Sequence, residues 1–165
     1  MIEDNRNEEI TNEFERVAAL LREQNTLTLA TTNEEAEAEA APLFYWVDED
    51  LALYWLSSPQ SRHSLAARRL ARVAVTVYRS SANWEGICGV QMRGQIKTVA
   101  KAERRAELLK KYCERFKLGG IFSLAIRQSV FYVFEPEWIR YIDNSVRFGY
   151  KFELVRGAEG WRKKR

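Results

Sequence analysis

A chain of 165 residues with 46% hydrophobic and 12% aromatic side chains can bury the core of one domain, which excludes a disordered polyelectrolyte. The net charge of +3 is unevenly spread: residues 1–50 carry 14 acids and 3 bases, and the remainder carries 9 acids and 23 bases. Such a split favours either self-association of complementary surfaces or an anionic partner for the basic part.

The spacing of Ile10, Phe14, Val17, Ala18 and Leu21 predicts an amphipathic helix ending near Gln24-Asn25. Residues 1–9 are expected to be a flexible N-terminus. Thr26–Thr32 then alternates as a strand, and Glu37–Val47 pairs with it in a hairpin with acids on one face. Pro42 inside that second strand predicts an edge or a bulge, because proline has no N–H for a ladder. After the turn at Asp48-Glu49-Asp50, the alternation of Leu51, Leu53 and Trp55 reads as another strand. Ser57-Ser58-Pro59-Gln60 turns the chain, Ser61 is placed as an N-cap, and Leu65, Ala66 and Leu70 give a short helix its apolar face.

Val73, Val75 and Val77 restore a strand period, and RSSANWEG is a polar connection. Ile87–Val99 is expected to be a strand in which Gly89 and Gly94 mark bulges or close backbone approach. Lys101–Phe116 is an amphipathic helix with Ala102, Ala106, Leu109, Cys113 and Phe116 as its apolar stripe, ended by Lys117–Gly120. A helical turn at Phe122–Ile126 is followed by strand at Ser129–Phe134 and Trp138–Ile142, interrupted at Glu135-Pro136-Glu137. Asn144-Ser145 turns into a last strand, Phe148–Val155. The basic segment 157–165 lacks a pattern and is expected to be a flexible tail.

Some chemistries drop out. One histidine excludes clustered-histidine metal sites, and no paired-cysteine motif supports zinc. No nucleophile elbow accompanies Ser61, His63 and Ser64, and neither a Walker motif nor GxGxxG occurs. No apolar run reaches the roughly 20 residues of a membrane span. The acidic start and the unpaired spacing of Cys88 and Cys113 fit reduced thiols and a cytoplasmic setting.

One stretch stands out. Leu51–Val77 places hydroxyls, Arg62 and His63 at a helix N-terminus, where free N–H groups and the helix dipole favour an anion. An ordinary capped helix with solvated basic residues explains the same spacing. LYWLSSPQSRHS, together with Gly89-Val90-Gln91…Gly94 and Asp143-Asn144…Phe148-Gly149, resembles the pyridoxamine 5′-phosphate oxidase-like, FMN-binding split-barrel proteins, over about Leu27 to Val155. Its likeness is to an uncharacterised, oxidase-related branch of that family.

The resemblance implies a mainly β fold: a six- or seven-stranded antiparallel split barrel with flanking helices, spanning residues 10–156. It also implies a homodimer with two FMN sites at the subunit interface. Ser57, Ser61, Arg62 and His63 would hold the cofactor phosphate. Leu43, Phe44, Tyr45 and Leu56 would lie along the flavin, with Trp46 or Trp55 as aromatic neighbours. Gln91 would contact the ring, since Gly89 stands at the family's glutamine position and Gln91 follows two residues on. Phe148 and Lys151 would lie toward the partner's cofactor. The family's R-x-V-L-L-K segment uses its Arg and Lys on phosphate and substrate; aligned on Asp48, Ala40 and Tyr45 stand there, and His63 replaces a usual Lys.

The expected activity is therefore flavin-dependent oxidoreduction of a small molecule other than pyridoxamine phosphate. F420 and haem are the alternative cofactors; the alternative function is a non-enzymatic barrel that binds haem, with His63 as its one possible histidine ligand, or another anionic ligand. A nucleic-acid module using the basic part is the weakest reading, because no aromatic strand signature for RNA accompanies it.

Overall fold

The computed structural model describes residues 2–118 and 126–164, with side chains from residue 10 onward. In chain order the elements are α1 (Ile2–Glu23), β1 (Thr26–Thr32), β2 (Ala38–Phe44), β3 (Trp46–Val47), β4 (Leu53–Ser57), α2 (Arg62–Arg69), β5 (Val73–Arg79), β6 (Cys88–Thr98), α3 (Ala102–Phe116), β7 (Val130–Asp143), β8 (Lys151–Gly157) and β9 (Gly160–Lys163). The fold is mainly β, with nine antiparallel strands among the described residues where six or seven were expected; β3 and β9 are the short additions. No helix among the described residues is long and apolar enough to cross a membrane.

The strands follow their apolar period. Leu27 and Leu29 of β1, Val73, Val75 and Val77 of β5, and Val90 and Met92 of β6 all face one interior. The sheet runs β2-β1-β5-β6-β7-β4-β3. β7 is its spine: one edge pairs β6 throughout, while the other pairs β4 through residues 130–134 and β8 through residues 138–142. The split between those two partners falls at Pro136, which has no N–H to donate. There the β6 register jumps from Arg93↔Trp138 to Gly94↔Pro136, a bulge in an otherwise continuous strand. Pro42 lies in β2, at the sheet edge, as its chemistry requires.

α1 seals the interior with Val17, Ala18, Leu20 and Leu21, each such side chain contributing roughly 1–3 kcal/mol on burial. Its last carbonyls, which have no helical partners, are taken from elsewhere. The Tyr45 hydroxyl donates to Leu21 O at 2.7 Å, and the Arg115 guanidinium of α3 donates to Arg22 O and Gln24 O. On the other side of β4 and β7, α3 buries Leu108 and Tyr112 against Ala52, Tyr54, Phe131 and Val133.

Several local expectations change. α1 begins at Ile2, so residue 10 is not its start. In α2 the inward residues are Ser64, Ala66 and Ala67, whereas Leu65 is exposed. The fully buried residues of α3 are Leu108 and Tyr112; of the expected stripe, Leu109 and Phe116 pack against the same cluster, while Ala102 and Ala106 face outward. That helix ends, as expected, at Lys117, which takes the left-handed conformation. Within the segment expected to be a flexible tail, Gly160–Lys163 is β9, which pairs with β8 and ties back to α1 through Lys163 and the buried Glu13. Phe148 lies in the β7–β8 turn, not in β8. The helical turn expected at Phe122–Ile126 falls largely outside the described residues.

Candidate functional site

β4 delivers Ser57, the turn at Ser58–Gln60 reverses the chain, and α2 starts at Arg62 with Ser61 as its extended cap residue. Ser61 caps by position only: its hydroxyl makes no bond to the helix backbone. Instead it lies 2.9 Å from Ser58 O, 2.8 Å from Ser64 Oγ and 3.0 Å from His63 Nε2. Ser57 Oγ is 2.6 Å from the same imidazole nitrogen and 3.2 Å from Ser61 Oγ. Three hydroxyls and one ring therefore share a handful of hydrogens, and hydroxyl hydrogens rotate freely to a new acceptor. Burial pushes His63 below its ordinary value of 6.5, so the imidazole is neutral at pH 7.

This cluster borders a groove of about 570 Å³ lined by Thr31, Glu39, Ala40, Ala41, Pro42, Arg62 and His63. Arg62 is ion-paired there with Glu39 of β2. The two are unequal: the Arg62 side chain is 80% exposed, whereas Glu39 is held at 18%. The first-turn N–H groups of α2 have no acceptor within the helix, and the half-buried hydroxyls of Ser57 and Ser61 lie beside them, whereas Ser64 is buried. The arrangement can receive an anion.

Of the expected site residues, Ser57, Ser61, Arg62 and His63 come together at this place, and Leu43 is half-buried beneath the same β1–β2 sheet. Tyr45 does not: its side chain is fully buried and its hydroxyl is spent on α1, because the chain twists inward between β2 and β3. Phe44 is 60% exposed, but its ring packs on Phe116 of α3 at 5.2 Å. Leu56 packs into the cluster under α3, as alternation along β4 requires once Trp55 points to the opposite interior. Trp55 is buried against Tyr132, and Trp46 stacks on Tyr54, so neither ring is available beside the groove.

Gln91 belongs to a different place. The register Pro42↔Thr28↔Thr76↔Gln91 puts it on the outer sheet face, three strands and about 14 Å from Pro42. It lines a second groove of about 380 Å³ with Thr76, Tyr78, Cys88, Gly89 and Ile142. Cys88 is an unreactive wall there, since burial raises its thiol above the ordinary range. At the same end of the barrel, exposed Phe148 meets exposed Trp84 edge-on at 5.4 Å, and Asn144 ties the two loops together through Trp84 O and Ile87 O. Lys151 opens β8 beside Ile142 and is exposed.

Sequence reasoning missed Glu39, Thr31 and Ser64. Thr31 and Glu39 are directly opposite in the β1–β2 ladder, a pairing derivable from the hairpin. Nothing in the sequence shows that α2 packs over it.

The sequence profile of the pyridoxamine 5′-phosphate oxidase family matches residues 13–137. A UPF0306 protein of Cronobacter sakazakii is 30% identical over 146 residues, covering 88% of this chain and 97% of its own. Among solved structures, Campylobacter jejuni ChuZ superposes with TM-score 0.71 at 15% identity, over 95% of this chain and 61% of its own. The haem storage protein HutZ of Vibrio cholerae superposes with TM-score 0.63 at 16% identity, over 74% and 89%. These likenesses identify the barrel as the split-barrel type.

Proposed function

Since the chain belongs to the pyridoxamine 5′-phosphate oxidase family, we propose that it is a cytoplasmic, homodimeric FMN-binding protein that oxidises or reduces a small molecule. The observation that carries this reading is a groove walled by Arg62 and His63 at the start of α2, with Ser57 and Ser61 hydrogen-bonded to that imidazole. A phosphate fits that donor set: hydroxyls give neutral hydrogen bonds, Arg62 a charge-assisted one, and the helix N-terminus complements negative charge. Bound there, FMN would supply a ring that accepts hydride or electrons. The protein's share is to bind and orient. Among the described groove residues, Glu39 is ion-paired with Arg62 and His63 is hydrogen-bonded to two serines.

Ala40 and Tyr45 carry no charge where the oxidase segment has Arg and Lys, which argues against pyridoxamine 5′-phosphate as the substrate. Dimerisation is supported by the outer sheet face. There Ala30, Ala74, Thr28 and Thr76 form a low surface, continued along β5 by the exposed ring of Tyr78. Small side chains over several strands permit close approach of a second sheet.

A haem-binding, non-enzymatic barrel is the second reading, favoured by the likeness to HutZ. Iron ligation by His63 Nε2 would break its contacts to Ser57 and Ser61. Titration of FMN fluorescence with the protein tests the two readings. Saturable quenching at one FMN per protomer, weakened at least tenfold by a Ser57→Ala, Ser61→Ala double variant, supports the first. No quenching at millimolar protein, with a Soret shift on adding hemin that His63→Ala abolishes, supports the second.

A further inference from the structure

Among the described residues that line the groove, Arg62 is the one cation, and it is already taken. Arg62 pairs with Glu39, and Glu39 is the anchored member: it projects from a paired strand and is largely covered, whereas Arg62 swings on an exposed stem. The neighbouring bases do not line the groove: Arg68 donates to Pro59 O and Arg69 to Thr32 O, so neither guanidinium contacts a ligand seated in it. His63 is neutral, and the remaining wall residues, Thr31, Ala40, Ala41 and Pro42, carry no charge. The formal charge of the wall is therefore zero before any ligand arrives.

Resting on the functional reading above, we propose that Glu39 is a specificity-determining residue: an internal counter-anion that competes with a ligand phosphate for Arg62 and makes FMN an exchangeable ligand, not a tightly held one. A phosphate monoester brings up to two negative charges beside a fixed carboxylate. It must either draw Arg62 away from Glu39 or share it, and both options cost attraction that an unopposed arginine would give. A flavin without phosphate meets no such repulsion. The groove consequently distinguishes FMN from riboflavin far less than its arginine and serines suggest. Like charges a few ångströms apart at a partly covered site change an equilibrium by tenfold or more.

Glu39→Gln keeps the side-chain shape and removes the charge. Equilibrium titrations with FMN and riboflavin at low ionic strength, on the wild-type protein, Glu39→Gln and Glu39→Gln with Arg62→Ala, test the proposal. The expected result is a wild-type preference for FMN over riboflavin of less than tenfold. Glu39→Gln should then tighten FMN at least tenfold with riboflavin changed less than twofold, and adding Arg62→Ala should cancel the gain. Matching thermal unfolding of the three proteins confirms that folding is intact. A wild-type preference of a hundredfold or more, or FMN affinity within twofold between wild type and Glu39→Gln, overturns the role of Glu39 alone. Binding of neither flavin by any of the three overturns the functional reading and this inference with it.

Discussion

Gly94→Ala tests the junction on which the barrel is split. An ideal Cβ at Gly94 falls 2.0 Å from Glu135 O and 2.9 Å from both Glu135 C and Pro136 Cα, all of them backbone atoms. No side chain can rotate to relieve this, so β6 and β7 must part by roughly 1 Å where the bulge concentrates their twist. Overpacking combined with weakened ladder hydrogen bonds puts the cost at about 3 kcal/mol, or a melting temperature lower by about 6–12 °C for a chain of this length. Gly149→Ala is the comparison. Gly149 has φ +71° with nothing within 4 Å of its Cβ position, so only the left-handed backbone is penalised, by about 1–2 kcal/mol. Thermal unfolding followed by far-UV circular dichroism separates the two. A Gly94→Ala protein that melts no lower than Gly149→Ala would refute the steric argument.

Two further predictions concern the site and its assembly. His63 is the one imidazole in the chain, and burial holds it below 6.5. The unfolded chain therefore takes up that proton first: the contribution to stability is complete above about pH 6.5 and is lost as pH falls from there to the folded value. An NMR titration of the imidazole should show a midpoint below 6.5 in the free protein, moving upward when inorganic phosphate or FMN is added; a midpoint at or above 6.5 without ligand contradicts the desolvated cluster. Ala74→Arg places a long cation on the outer sheet face without touching the core. Light scattering after size exclusion should show a monomer for this variant and a dimer for the wild type, whereas a wild-type monomer removes the interface from the functional reading.

The parts of the site legible in the sequence are those close along the chain. Ser57, Ser61 and His63 lie within seven residues, so a strand, a turn and one helical turn suffice to bring them together. The strands themselves are just as local: Val73, Val75 and Val77 alternate, and alternation puts them on one face whatever they pair with. Periodicity was less informative in α3, where apolar residues at both Leu108–Tyr112 and Leu109–Cys113 offer two overlapping stripes. Packing against Phe131 and Val133 selected the first. β9 escaped notice because Gly160–Lys163 has only Trp161 as an apolar residue, and its pairing depends on β8 being there to receive it.

The amino-acid sequence alone determined most of the strands and helices, β9 excepted, where a proline must sit at an edge or a bulge, and that hydroxyls gather at the start of α2. These follow from local backbone preferences and from periods of 2 and 3.6 residues, which need no knowledge of neighbours. Only the tertiary structure decided that Glu39 faces Arg62 across 23 residues of chain, that Tyr45 turns inward to cap α1, and that Gln91 belongs to a separate groove three strands away. Each depends on which strand lies beside which and on where a helix packs over the sheet. Alternation assigns a residue to a face of its own strand, and the partner met on that face is set by the closure of the whole barrel.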